Sequence, residues 1–172
     1  SINRLLNSVE LMEPEIPIWN VEEFGPPVMA AKYLREYWKL PKGPIENLTT
    51  LLEDHGILII DLDFGSPKLD GLSLFSSGGN PIIFVNRNMP SDRQRLTVAH
   101  ELAHLVLHCR QIIQESRDVE TEAFEFASEF LMPSREIYSR LSKLTLQKLA
   151  DLKRYWKVSM AAIIMYARSL RT

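Results

Sequence analysis

Apolar positions follow a helical rhythm over most of the chain and a strand-like one in the stretch from Ile57 to Val85. Met29, Tyr33, Leu34, Tyr37 and Trp38 fit one helix over residues 28–40, stopped by Pro41-Lys42-Gly43-Pro44. A second amphipathic helix is expected over 45–55, closed by Gly56. Residues 57–64 predict a strand, and the apolar runs 72–75 and 82–85 flank Ser76-Ser77-Gly78-Gly79-Asn80 as a hairpin. Ser91, read as an N-cap, opens a helix to about His108, and Pro133 stops another over 118–132. Two last helices are expected over 145–156 and 159–170, joined at Lys157-Val158. Helices around a small antiparallel sheet make the class α+β.

A chain of 172 residues that is 45% hydrophobic and 24% charged can bury a single core and is no disordered tract. Its longest candidate for a membrane segment, 56–60, is far short of the ~18 apolar residues needed to cross a bilayer. Cys109 has no second cysteine to pair with, so the expectation is a cytoplasmic chain in which Cys109 packs as a small hydrophobe. Charge is uneven. Residues 134–172 carry nine Lys/Arg against Glu136 and Asp151, while the rest of the chain is acidic. The expected organisation is a linker or packing arm over 1–27, a core over 28–133, and a basic helical extension over 134–172 packed on that core. The tail is compatible with a DNA-binding helix-turn-helix, but a helical pair closing the core is preferred, because no side chain stands out at base-reading positions.

Three of the four histidines, His100, His104 and His108, fall within nine residues, and the first two frame His100-Glu101-Leu102-Ala103-His104. On a helix, residues i and i+4 share a face, so both imidazoles can reach one Zn²⁺. Glu101 is rotated away by about 100° and suits a general base that takes a proton from metal-bound water. Leu96, Val98, Ala99, Leu102, Ala103, Leu105, Val106 and Leu107 surround the motif, so this helix is buried. Polar groups in such a place need a partner, and a divalent cation is the natural one.

A catalytic zinc takes three protein ligands, and the third is sought on the next helix. On a helical wheel Asp118, Glu122, Glu125 and Glu129 form one acidic, solvated stripe, whereas Glu120 sits alone within an apolar face made by Ala123, Phe124, Ala127 and Leu131. Glu120 is therefore the favoured third ligand, with Glu122 the alternative.

The run from Arg95 to His108 resembles the zinc helix of the ImmA/IrrE metallopeptidases, and Glu120-Thr121-Glu122-Ala123, Phe126-Ala127 and Leu131-Met132-Pro133 resemble their second motif. The resemblance covers roughly 28–133 and implies zincin-like helices packed on a small sheet. It also implies zinc bound by His100, His104 and Glu120, with Glu101 as catalytic base. In place of the Asp or Asn common in the family four residues after the ligand glutamate stands Phe124, which removes a group suited to holding a zinc histidine. The implied function is a zinc-dependent endopeptidase acting on a protein, such as a helix-turn-helix repressor. The alternatives are a non-proteolytic, zinc-containing transcriptional regulator and a metal-free relic. A start at Ser1 with a linker-like segment fits the peptidase half of a fusion, in which nucleic acid is met through a preceding domain or the basic tail. No membrane partner is expected.

His108 could approach the metal, but a helix-end histidine facing carbonyls is the preferred reading, and His55 has the same explanation. Tyr138 is read as a surface or core tyrosine rather than an oxyanion donor. Arg93 and Arg95 are expected to pair with carboxylates near the first turn of the zinc helix.

Overall fold

The computed structural model describes residues 13–171; the part of the expected arm over 1–12 lies outside them. The architecture is α+β, with helices gathered on one face of a three-stranded sheet. In chain order the elements are α1 (Val21–Phe24), α2 (Pro27–Tyr37), α3 (Leu48–Asp54), β1 (Leu58–Leu62), β2 (Gly71–Phe75), β3 (Pro81–Asn86), α4 (Ser91–Leu107), α5 (Val119–Leu131), α6 (Ser134–Ile137), a 3₁₀ turn (Tyr138–Arg140), α7 (Leu146–Trp156) and α8 (Met160–Ser169).

Local chemistry sets the helix starts. Asn47, Asp118, Thr145 and Ser159 each accept a hydrogen bond from a backbone N–H of the first turn, of α3, α5, α7 and α8 respectively. Asn20 does the same for α1, a short helix not expected from the sequence. The helix α4 departs from its expected start: Ser91 is its first helical residue, Pro90 precedes it, and no side chain caps it. Lys157 takes a left-handed conformation, φ 59°, at the break between α7 and α8.

β2 and β3 form the expected hairpin, with Leu72 opposite Phe84. The sheet as a whole is mixed rather than antiparallel. β1 lies parallel to β3, Leu58 beside Ile82, so the order is β1-β3-β2. A parallel pair needs a crossover, supplied here by the loop after β1 together with β2. β3 is buried throughout. Its Ile83 and Val85 join the main core, whereas Ile82 and Phe84 pack with Leu58, Ile60 and Leu74 in a small cluster of their own.

The central layer is α4, packed on β2 and β3 and on α5; α2 packs on α5 in turn. Leu102, Ala103, Leu105 and Leu107 of α4 are fully or nearly fully excluded from solvent, as the apolar surroundings of the histidine motif required. Each such leucine contributes on the order of 1.5–3 kcal/mol by leaving water. The tail helices close this core through Leu152, Trp156, Ile163 and Tyr166. The arm also packs: Trp19 N–H donates to Val106 O at 3.0 Å, and Trp38 Nε1 to Glu15 O at 2.9 Å.

Packing on several sides of α5 overturns the solvated stripe expected there. Glu129 is 1% exposed and accepts hydrogen bonds from the Ser134 backbone and hydroxyl and from the Tyr166 hydroxyl of α8. Glu122 is also largely covered, its side chain 15% exposed. Asp118, at the helix start, stays in solvent. Cys109 is exposed rather than packed in the core.

Candidate metal centre

The helix α4 carries His100 and Glu101 and, one turn on, His104, with His108 as its C-cap, and it is held between the sheet and α5. Asp118 caps α5 and so fixes the first turn that bears Glu120. There the Glu120 carboxylate meets both imidazoles: Oε2 lies 2.8 Å from His100 Nε2, and Oε1 lies 3.3 Å from His104 Nε2. The two rings stand 4.9 Å apart between centroids. Glu120 remains 71% exposed at its side chain, so the point of convergence lies at the mouth of a cleft and not in the sealed core.

Glu101 is close as well. Its carboxylate and the ring nitrogens of His100 and His104 lie within 4.8 Å of one another. Two carboxylates thus stand near two imidazoles, but their settings differ. Glu120 touches both rings, whereas Glu101 is 8% exposed and takes a hydrogen bond from the Ser73 hydroxyl of β2. Burial raises Glu101 above the usual carboxylate range, with Ser73 and His100 pulling the other way. Burial, aided by the neighbouring His100, pushes His104 down to about 4, so its ring is neutral and free to offer a lone pair near pH 7.

Close approach of β2 to α4 depends on Gly71. A Cβ there would stand 2.7 Å from Thr97 Cγ2 and 3.1 Å from Glu101 Cγ. No pattern in the sequence marks this requirement.

Behind His104 lies a second layer that the sequence reading missed. His104 Nδ1 is 2.8 Å from His108 Nδ1, and His108 Nε2 is 2.8 Å from Glu122 Oε2. Arg117 completes it with two donors, Nε to Glu122 Oε1 at 2.8 Å and Nη2 to Oε2 at 2.7 Å. His108 therefore faces side chains and is no carbonyl-facing helix-end histidine. Its spacing of four from His104 was the signal that could have shown this. His55 does follow the expected pattern, with Nδ1 2.8 Å from Leu51 O. Arg93 pairs with Asp70 at 2.8 Å. Arg95 instead donates to Ile45 O, because the first turn of α4 packs beside the loop before α3. Tyr138 is on the surface.

A cavity of about 510 Å³ opens beside the centre. His100, Glu101 and Glu120 line one side of it, with Gly71 of β2, Phe124 of α5, and Ala161, Ala162 and Met165 of α8 around the rest.

An H-E-x-x-H helix facing a carboxylate from the following helix, over a small sheet with an open edge, defines an arrangement of metallopeptidase type. Residues 52–166, two thirds of the chain, match the peptidase family described as the IrrE N-terminal-like domain, and the chain belongs to that family. A comparison with curated proteins finds no significant match. No helix among the described residues is long and apolar enough to cross a membrane.

Proposed function

We propose that the protein is a zinc-dependent endopeptidase, with His100, His104 and Glu120 as metal ligands and Glu101 as the proton carrier. The observation that carries this reading is the contact of one Glu120 carboxylate with both Nε2 atoms. The donor set fits the ion. Ligand atoms held ~2.0–2.1 Å from one tetrahedral zinc stand roughly 3.3 Å from each other; Glu120 Oε1 and His104 Nε2 are at that separation, while Glu120 Oε2 and His100 Nε2, at 2.8 Å, are in direct hydrogen-bond contact. Two imidazoles and one carboxylate also leave a position open, as a catalytic site requires.

A bound zinc polarises a peptide carbonyl and makes water a stronger acid. The chain's own residues supply the rest. Glu101, with its proton affinity raised by burial, takes a proton from the attacking water and returns it to the departing amide nitrogen. Ser73 and the packing of Gly71 against Glu101 keep that carboxyl in place. β2 is an edge strand, and a peptide laid along it in extended form would pass the cleft. Leu69, Leu96, Phe124, Ala162 and Met165 make the adjoining wall apolar and suit it to an apolar side chain next to the scissile bond. The family resemblance supplies the candidate protein substrate, a helix-turn-helix repressor.

The test is Glu101→Gln. The variant should keep its zinc and lose at least a hundredfold in peptide hydrolysis, the order of effect of a general base. Unchanged turnover with zinc bound would remove Glu101 from the mechanism.

A further inference from the structure

We infer that His108, Glu122 and Arg117 form a positioning relay that fixes the tautomer and ring orientation of His104 as a metal ligand. The inference rests on the metal reading above. It concerns a part of the centre distinct from the three ligands and the base.

With a metal on Nε2 of His104, the donors and acceptors behind it admit one self-consistent arrangement. Glu122 is held by two Arg117 donors, and as a carboxylate it can only accept from His108 Nε2. That nitrogen therefore carries a proton. His104 Nε2 must be bare if it is to offer a lone pair on the side where Glu120 lies. Its proton then resides on Nδ1 and is donated to the Nδ1 lone pair of His108, 2.8 Å away. One arginine, one carboxylate and one imidazole thus set which nitrogen of His104 faces the cleft. All are well covered: the side chains of His108, Glu122 and Arg117 are 8%, 15% and 15% exposed.

The two histidines of the motif are held unequally. Among the described residues no side chain hydrogen-bonds the second nitrogen of His100; Phe124 lines the same cavity. The orientation of His104 consequently carries more of the preorganisation of the site. The loop between α4 and α5, through Arg117, becomes part of the metal centre without touching the metal. Groups that orient a ligand histidine change metal affinity by roughly 10–100-fold.

The relay is tested by zinc affinity, measured by competition with a chromophoric chelator, on the wild type and on H108A, H108N and E122Q. H108A should bind zinc 10–100-fold more weakly. H108N, whose amide oxygen can take the place of Nδ1 as acceptor, should recover most of that loss, which a merely space-filling role would not produce. ¹⁵N NMR of the zinc-loaded protein should show His104 protonated at Nδ1 and coordinated through Nε2 in the wild type and in H108N. If H108A does not fold, H108N and E122Q carry the test: E122Q should lose zinc affinity while H108N holds it. Equal zinc affinity in wild type, H108A and E122Q overturns the relay and leaves the metal site standing. A wild type that takes up no zinc overturns the metal site, and the relay with it.

Discussion

Glu120 and His100 are twenty residues apart in sequence, yet their side chains meet at 2.8 Å because the Asp118 cap sets α5 starting beside the middle of α4. The same carboxylate reaches His104, so one group from a second element closes a site that a single helix can only half build. Under the proposed ligation, folding is tied to the ion. Removing zinc with a chelator is expected to lower the melting temperature of the wild type. The stabilisation is ~2.7 kcal/mol at a free zinc concentration a hundred times Kd. H104A should melt at the same temperature with and without zinc; differential scanning fluorimetry reads both.

Gly71 sets the gap between β2 and α4 at Glu101, the proposed base. Since an added Cβ would lie 2.7 Å from Thr97 and 3.1 Å from Glu101, G71A must push the strand away or displace the carboxyl. The expected result is a loss of ~1–3 kcal/mol of stability, typical of overpacking, with a fall in kcat larger than any change in zinc affinity. Urea unfolding and steady-state kinetics on the zinc-loaded variant check it.

Tyr166 donates its hydroxyl to Glu129 in a region sealed from solvent. Y166F leaves that carboxylate with Ser134 as its remaining hydrogen-bond donor and is expected to cost about 1–3 kcal/mol. Zinc affinity should be unchanged, because this contact docks α8 on α5 away from the histidines. A urea titration beside a zinc titration separates the two effects.

Asp92, in the first turn of α4, meets Lys153 of α7 at 2.8 Å. The hydrogen bond from Lys153 holds Asp92 below the usual carboxylate range. A group with a depressed folded pKa stabilises the fold above its unfolded pKa and loses that contribution as pH falls through the folded value. D92N should therefore be less stable than the wild type at pH 7 by ~0.2–1 kcal/mol, as for partly exposed pairs. The gap should close as the solution is acidified below the normal carboxylate range. Urea midpoints at several pH values provide the check.

The sequence was most informative where one periodicity served both packing and chemistry. On α4 the i, i+4 histidines and the apolar residues around them mark a buried helix with polar groups that need a partner, and such a helix is found. The hairpin was legible through its turn residues. The parallel placement of β1 was not, because the pairing of an isolated strand depends on a crossover that no local pattern encodes. The helical wheel singled out Glu120, which does meet both imidazoles, but misplaced Glu122 and Glu129 in solvent. A wheel grants a helix one buried side, whereas α5 is flanked by α4, α2 and α8. His108 was misread for a related reason. Its partner Glu122, and the Arg117 that holds Glu122, arrive from a helix and a loop whose approach only the tertiary fold determines.

The central claim is that one zinc ion is held by His100, His104 and Glu120. Elemental analysis and zinc titration of the wild type and E120A, purified without chelator, test it most directly. The expected result is one zinc per wild-type chain and a large loss of affinity in E120A. A wild type without zinc, or an E120A chain that binds zinc as tightly, would contradict it.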